Sequence, residues 1–254
     1  MLGSLDIISE PVLYDIFNAN CVEDIEMYKI MCSNFDKVLE LGIGTGRIAI
    51  PLAQSGVHIV GIDNSSQMLA VLKNKIETGK INGISFIQDD MRSLSLKSKF
   101  DFIICPFCTF NFLLSIEEQK EALISISKLM KEGAKIVFDL LTLNTFPKAF
   151  QDSSLQHFDS YTYPGENSTI EIYTSSKFNQ CNQIFSQERI FRKYENNILE
   201  KELHTTMRNR FFFFGEFKLL LEKCGYKISD IYGDYKFSPF SQYSEELVVV
   251  AELK

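Results

Sequence analysis

A glycine-rich stretch in the first fifth of the chain constrains the fold more than any other feature. The mostly apolar run 38–41 is typical of a buried strand, and it leads directly into Gly42, Gly44 and Gly46. A helix-like segment begins at Arg47. Because glycine has no Cβ, such a turn lets the backbone approach a ligand closely, and the helix that follows offers unpaired N–H groups to it. The stretch therefore predicts a strand, a ligand-binding turn and a helix.

The next strand supplies an acidic residue at an informative spacing. His58–Asp63 has the pattern of a second buried strand, and Asp63 follows Gly42 by about 20 residues. In nucleotide-binding βαβ units, a carboxylate at that distance accepts hydrogen bonds from ribose hydroxyls. A nicotinamide site expects the pattern Gly-x-Gly-x-x-Gly, which would need a glycine where Arg47 stands. The two strands thus indicate a nucleoside-type ligand and disfavour a nicotinamide dinucleotide.

Strands and helices alternate through the first half of the chain. Ahead of the sheet, an apolar stripe predicts one amphipathic helix from Pro11 to Cys32. Two later helices are expected, one capped by Ser65 and one from Ile116 to Met130, with Gly133 in its stop signal. The remaining predicted strands of this half are Ile84–Gln88, Phe100–Cys105 and Lys135–Leu140. This rhythm is typical of a doubly wound parallel sheet.

The pattern changes in the second half. Ser154–Phe213 alternates polar and apolar residues between asparagine-rich turns, which predicts an antiparallel insertion instead of further βα units. The phenylalanine run 211–214 is expected to anchor this insertion on the core. A helix is predicted at Glu216–Cys224, then a strand from Gly225, and a last strand at Leu247–Ala251.

Composition describes an ordinary globular chain. Of the 254 residues, 45% are hydrophobic and 23% are charged, which suits one α/β domain with an insertion. We expect a single domain, 1–254, with an amino-terminal helix at about 10–33 and the insertion at about 154–213. The net charge of −7 argues against a protein that grips phosphate backbones, which needs clustered Lys and Arg.

The cysteines and the apolar runs give an expected location. Cys105 and Cys108 have the spacing of a redox motif, but they follow a strand instead of opening a helix, and no zinc site is completed nearby. Met1–Glu10 lacks the basic start of a secretory signal, and no apolar run approaches the ~20 residues of a membrane span. We expect reduced cysteines, a cytoplasmic protein and no membrane partner.

Three segments together resemble the class I S-adenosylmethionine-dependent methyltransferases: Glu40–Gly46, Gly61–Asp63 and Asp89–Met91. The resemblance covers about Asp36–Leu141 and Phe217–Ala251. It implies an α/β fold with a seven-stranded, mostly parallel, doubly wound sheet, helices on both faces, and the antiparallel insertion. In that fold the last strand lies antiparallel between the fifth and the sixth.

The resemblance implies S-adenosyl-L-methionine as cofactor and S-adenosyl-L-homocysteine as product. The glycine turn would approach the methionyl part, Asp63 would accept both ribose hydroxyls, and Asp90 would take the adenine amino group. The backbone of Met91 would meet the adenine ring, and Met68 would flank it, although methionine is also common core filler. Tyr14 would point inward from a lid helix, unless it packs as other aromatic residues of amphipathic helices do. The implied cofactor-binding residues are Tyr14, Glu40, Gly42, Gly44, Gly46, Arg47, Asp63, Asn64, Met68, Asp90, Met91 and Pro106.

Acceptor-binding candidates lie near strand ends, because ligands of open α/β sheets bind outside the carboxyl ends of the strands. The candidates are Phe107, Phe110, Asp139, Asn144 and His157. For His157, an exposed strand histidine is the simpler interpretation. Methyl transfer needs a dedicated base only if the acceptor arrives protonated, and no catalytic residue is predicted. Asp139 is followed by Leu140, so the magnesium site of catechol-type enzymes is incomplete, and no metal is expected.

The turn after the fourth strand bears on the acceptor. Its sequence, 105–108, departs from the Asn-Pro-Pro-Tyr of nucleic-acid amino-methyltransferases, which disfavours a nucleic-acid partner. With the helix around Asp24–Tyr28 and the insertion, it most resembles the small-molecule N-methyltransferase branch. We predict methyl transfer to a small molecule, at an amine nitrogen, by a monomer or homodimer. The alternatives are a tRNA or protein methyltransferase, a non-catalytic S-adenosylmethionine-binding module and a nicotinamide oxidoreductase.

Overall fold

The structure is a computed structural model that describes residues 10–142, 153–162 and 168–254. It divides into two compact units, each described by itself. The ribbon unit comprises Met1–Asn20 and Phe146–Arg210, and the sheet unit comprises Cys21–Thr145 and Phe211–Lys254.

The bounds of the described elements follow. The strands are β1 Lys37–Leu41, β2 His58–Asp63, β3 Ile84–Gln88, β4 Phe100–Cys105, β5 Met130–Leu140, β6 Ser153–Thr162, β7 Ser168–Asn179, β8 Ile184–Glu195, β9 Ile198–Arg210, β10 Tyr226–Tyr232 and β11 Leu247–Leu253. The helices are α1 Glu10–Phe17, α2 Glu23–Cys32, α3 Ala49–Gln54, α4 Ser66–Gly79, α5 Ile116–Ser127 and α6 Phe214–Lys223. Two 3₁₀ turns cover Met91–Ser93 and Thr109–Phe112. None of these helices is long and apolar enough to cross a membrane.

The sheet unit contains a seven-stranded sheet in the order β10-β11-β5-β4-β1-β2-β3. Strands β1 to β5 pair in parallel, whereas β11 runs antiparallel between β5 and β10. This topology confirms the predicted class, including the position of the last strand. Because Val248 pairs with Asp139, the start of β11 lies at the carboxyl end of β5. Segments that follow β1, β2, β4 and β5, and the one that precedes β11, therefore share one edge of the sheet.

Alternating side chains fill a core on each face of the sheet. In β1, Leu39 and Leu41 face the layer that also contains buried residues of α5 and α6, such as Leu123 and Phe217. Val38 faces the opposite layer, which contains buried residues of α2, α3 and α4. Burial of both faces explains why the central parallel strands are nearly continuous apolar runs.

The ribbon unit contains a four-stranded antiparallel sheet in the order β6-β7-β8-β9. Leu13 of α1 packs with Ile170, Ile172 and Phe191 on one face of this sheet. Charged residues pair across β8 and β9, as the interleaved signs predict. Arg192 lies 2.6 Å from Glu202, and Lys193 lies 2.7 Å from Glu200.

Two predicted helices and one predicted helix stop signal differ from the structure. The expected helix Pro11–Cys32 is two helices, because asparagine favours local side-chain hydrogen bonds over helix continuation, and the Asn18 side chain donates to the Tyr14 carbonyl at 2.8 Å. The expected helix Ile116–Met130 ends at Ser127. Gly133 lies within β5 at φ +72°, next to a register shift against β4, so this glycine accommodates a bulge. In its described residues, the insertion contains the antiparallel strands β6 to β9.

Candidate active site

The glycine turn holds three left-handed backbones. Gly42, Gly44 and Gly46 have φ values of +73°, +54° and +87°. A Cβ on Gly42 would lie 2.4 Å from the Thr109 side chain, and one on Gly46 would lie 2.6 Å from Leu72. At Gly44 the nearest atom would be 3.9 Å away. Gly42 and Gly46 are therefore required by packing, and Gly44 is the position with space for a ligand beside the backbone.

Asp63, at the end of β2, is fixed by the same turn. Its Oδ2 accepts the Gly44 N–H at 2.8 Å, and its Oδ1 accepts the Ser65 N–H at 2.8 Å. Burial raises the pKa of Asp63, and these backbone donors oppose that rise. A carboxylate has about four lone-pair sites, so Asp63 can accept a further hydrogen bond without moving.

Glu40 adds a buried polar atom beside the turn. The side chain is buried, and its Oε2 has no hydrogen-bond partner among the described residues. Desolvation raises the pKa of Glu40 well above its usual range, while the charge of Arg47 lowers it. Since buried polar atoms normally have a partner, Oε2 marks a place where a ligand or water would complete the arrangement.

The predicted adenine-side residues are present, but some of their groups already have partners. The carboxylate of Asp90 pairs with the Arg92 guanidinium at 2.6 Å and accepts the Arg92 backbone N–H at 2.9 Å, which lowers the pKa of Asp90. Met91 is half-buried against the core, and Met68 is half-buried in the first turn of α4, whose cap is Ser65. The backbone oxygen of Asn64 accepts the Gln88 side chain. The roles of Asp90, Asn64, Met68 and Met91 toward adenine stay predictions.

Arg47 binds protein groups in this structure. Its guanidinium pairs with both Asp24 oxygens, at 2.8 and 2.5 Å, and donates to the Cys21 carbonyl at 2.7 Å. It also stacks 3.9 Å from the centre of the Phe107 ring. These contacts connect the glycine turn to α2 and to the turn after β4. They give Arg47 a structural role, and its predicted cofactor contact stays untested.

The turn after β4 is strained. Phe107 and Cys108 have φ values of +51° and +57°, which are uncommon for residues with side chains. The Phe107 N–H donates to Asp139 Oδ2 at 3.0 Å, and the hydroxyl of Thr109 donates to the carbonyl of the buried Pro106 at 2.7 Å. Strained backbones of this kind persist where surrounding contacts hold them, often at binding sites.

Phe110 does not lie with the other acceptor candidates. Its side chain is fully buried, and its ring lies 5.1 Å from Phe138, 5.8 Å from Phe217 and 5.9 Å from Phe212. Its position after β4, which suggested substrate contact, is instead a place in the core. Phe212 packs in the same core, and the predicted anchoring of the insertion by the run 211–214 stays a prediction.

A second polar cluster, which sequence reasoning mostly missed, surrounds Asp139. Its Oδ2 accepts the Tyr235 hydroxyl at 3.1 Å in addition to the Phe107 N–H. Oδ1 and the buried hydroxyl of Tyr28 have no partner among the described residues. Desolvation, then the charge of Asp24, raises the pKa of Asp139 to about 7, and desolvation, then the charge of Asp139, raises that of Glu246 to about 8. Only Asp139 was predicted, because the others come from α2 and from the loop before β11.

The remaining candidates lie in the ribbon unit or beyond the described residues. Tyr14 belongs to α1, and its lid role stays a prediction. His157 is an exposed residue of β6 whose Nε2 lies 2.8 Å from the Ser160 hydroxyl. Asn144 lies outside the described residues. Among the described residues, no group of three or more His, Cys, Asp or Glu side chains is arranged to hold a metal ion.

Comparisons with known proteins agree with this geometry. Residues 38–133 match a family of methyltransferase domains. A Geobacillus sp. (strain WCH70) protein with a methyltransferase name is 26% identical over 218 residues, which cover 85% of this chain and 84% of that protein. The cypemycin N-terminal methyltransferase of a Streptomyces species is 28% identical over 220 residues, covering 85% and 82%.

A solved structure extends the agreement to the whole fold. The S-adenosylmethionine-dependent methyltransferase of Clostridium acetobutylicum ATCC 824 superposes with a TM-score of 0.80, at 19% identity, over 95% of this chain and 96% of that one. The match over residues 38–133 and the relatives named as methyltransferases support an S-adenosylmethionine-dependent methyltransferase. The superposition shows that the chain has the class I methyltransferase fold.

Proposed function

We propose that this enzyme transfers a methyl group from S-adenosylmethionine to an amine nitrogen of a small molecule. The observation that carries the cofactor part is the arrangement of Gly44 and Asp63. The space beside Gly44 would admit the ligand, and the Asp63 carboxylate, fixed by two backbone N–H groups, would accept its ribose hydroxyls. When bound, the cofactor supplies a methyl group on a positively charged sulfur.

The residues around the turn fit such a ligand chemically. Glu40 Oε2 is an unpartnered acceptor for a polar group of the methionyl part. Met68 and Met91 are half-buried apolar side chains that suit the faces of an adenine ring. We place the adenine amino group at Asp90, whose carboxylate would share its lone pairs between the ligand and Arg92.

Two observations favour a nitrogen acceptor of small size. One relative covered over most of its length is named as an N-terminal methyltransferase, which is a nitrogen acceptor. The net charge of −7 is mildly favourable toward a cationic amine and unfavourable toward nucleic acid. We infer a cytoplasmic location for the same enzyme, since all six cysteines are free thiols.

Incubation with S-adenosylmethionine labelled on the methyl group tests the proposal. The purified protein would receive pooled small metabolites, RNA or protein in separate reactions. We expect label in the metabolite fraction, on a base-stable N-methyl product. Label only in RNA or only in protein would overturn the acceptor assignment. Calorimetry with S-adenosylhomocysteine is the parallel control, and absence of binding would overturn the cofactor assignment.

A further inference from the structure

The cluster around Asp139 lies at the sheet edge that also carries the glycine turn. Asp139 is the penultimate residue of β5, and its pairing with Val248 places Glu246, just before β11, beyond the carboxyl end of β5. Tyr235 comes from the loop between β10 and β11 and reaches Asp139 Oδ2. The chain thus gathers two carboxyls and a phenol where ligands of open α/β sheets bind.

Two atoms of this cluster lack partners. Asp139 and Tyr28 are both 0% exposed, yet Asp139 Oδ1 and the Tyr28 hydroxyl make no hydrogen bond to a described residue. A buried polar atom without a partner costs folding free energy, so its retention needs another explanation. Hydrogen-bond donors from a ligand or its water would provide one.

The charges of the cluster favour a cation. The negative charge of Asp24 raises the pKa of Asp139, and the positive charge of Arg47 lowers it. The Arg47 guanidinium is already paired with both oxygens of Asp24. The charge of Asp139 raises the pKa of Glu246, and no ion pair seen among the described residues joins a lysine or arginine to either carboxyl. A ligand that brings a positive charge and N–H donors would meet both requirements.

We propose that Glu246, supported by Tyr235 and Asp139, binds the ammonium form of the acceptor amine and takes its proton. This inference rests on the proposed function. One ammonium N–H bond breaks, and its proton bonds to a Glu246 carboxylate oxygen. The freed lone pair on nitrogen forms the bond to the methyl carbon as the sulfur–methyl bond breaks and leaves its electron pair on sulfur. Glu246 then releases its proton to water.

The ionisation of the cluster suits this role. The pKa of Glu246 is raised to about 8 by desolvation, then by the charge of Asp139, with a hydrogen bond from Tyr235 opposing the rise. Glu245 and Asp24 raise it further. A base with a pKa near the working pH can both accept and release a proton. Asp139 is less exposed and is held by two donors, so it acts as a positioning residue.

Binding of methylammonium to the S-adenosylhomocysteine complex tests the inference without knowledge of the acceptor. A ligand of two heavy atoms binds at best with about millimolar affinity, so saturation-transfer NMR of methylammonium chloride is suitable. We expect Glu246→Gln to weaken methylammonium binding at least about tenfold, because a charge-assisted hydrogen bond is lost. The matched control is Glu252→Gln, a half-buried carboxylate at the other end of β11 that pairs with Lys227.

Calorimetry with S-adenosylhomocysteine separates the two levels of the proposal. We expect wild type, Glu246→Gln and Glu252→Gln to bind it equally, which also shows that the variants are folded. No binding by the wild type would overturn the proposed function and this inference with it. Normal binding, together with methylammonium binding that is absent in the wild type or unchanged in Glu246→Gln, would overturn the inference alone.

The second readout is the transfer of a labelled methyl group from S-adenosylmethionine to methylamine, measured as kcat/KM at a series of pH values. Glu246 must be ionised to act, so wild-type kcat/KM should fall as the pH drops below about 8. In Glu246→Gln, this fall toward low pH should disappear, and kcat/KM should be lower than in the wild type by about a hundredfold or more. Tyr235→Phe removes the hydroxyl that donates to Asp139 and lowers the pKa of Glu246, so the midpoint should move to higher pH. A Tyr235→Phe midpoint that stays in place or moves to lower pH would contradict the arrangement.

Discussion

Two polar groups at the same edge of one sheet are built in different ways. The proposed cofactor side consists of the glycine turn after β1 and Asp63 at the end of β2, which are joined by a hydrogen bond from Gly44. The proposed acceptor side joins Asp139, in the first of the two chain segments that form the sheet unit, to Tyr235 and Glu246, in the second. The first is a local motif and the second is a product of topology. The difference separates what a short pattern can encode from what only the folded sheet brings together.

The two acids at the centre of these groups also differ in solvation. Asp63 is half-buried, and three backbone donors oppose the effect of burial on its pKa. Asp139 is fully buried near the charge of Asp24, and its pKa rises to about 7. One carboxylate is prepared to accept hydrogen bonds, and the other changes its ionisation near neutral pH. The environment, not the residue type, gives each its capacity.

The largest expected effect is on the free energy of unfolding, at Phe110, a core residue that follows the same strand as Phe107. Phe110→Ala should lower the free energy of unfolding by about 3–5 kcal/mol, because it empties a site among three other phenylalanine rings. Phe107→Ala removes a ring that stacks on Arg47 and should cost only about 1 kcal/mol. Urea unfolding at constant pH measures both. Equal losses would contradict the division of these residues between core and site.

Gly44→Val should prevent ligand binding at the cofactor side. We expect S-adenosylhomocysteine to bind at least about a hundredfold more weakly, because the side chain would fill the open position of the turn and strain its left-handed backbone. The matched control is Gly56→Val, away from the turn, where φ is +99° and no atom lies within 4 Å of the place that a Cβ would take. Comparable affinity losses in the two variants would attribute the effect to backbone strain instead of ligand exclusion.

Asp63→Ala tests the same side with a smaller expected change. A hydrogen bond to a charged group is worth roughly 1.5–3 kcal/mol, so S-adenosylhomocysteine affinity should fall at least about tenfold. Asp36→Ala, an exposed acid before β1, is the control. Calorimetry gives the dissociation constants, and unfolding curves identify any general loss of structure. An unchanged constant in a folded Asp63→Ala protein would remove Asp63 from the cofactor site.

The sequence was sufficient to bring Gly44 and Asp63 together but not the residues around Asp139, for a physical reason. Spacing along the chain was sufficient for Gly44 and Asp63, because adjacent strands of a βαβ unit end side by side. Glu246 carried no signal, because its place depends on the antiparallel pairing of β11 with β5. Phe110 was mistaken for a site residue because an apolar side chain after a strand can face either a ligand or the core. Gly133 was mistaken for a helix stop because a bulge needs the same backbone conformation.

Chelation tests the chemistry of the acceptor side, and the expected effect is the smallest. In a catechol-type enzyme, acids at the ends of the strands would hold magnesium and the oxygen nucleophile. Here Leu140 follows Asp139, whose Oδ2 is taken by Phe107 and Tyr235, and no metal-binding group of three side chains is found among the described residues. We therefore expect methyl transfer to methylamine in EDTA to stay within about twofold of its untreated rate, a change of about 0.4 kcal/mol in the barrier. S-adenosylhomocysteine binding, measured in the same buffer, controls for damage to the cofactor side. Activity that is lost in EDTA and restored by magnesium would show that the carboxyls at this edge bind a metal ion, and it would favour an oxygen acceptor over the amine proposed for Glu246.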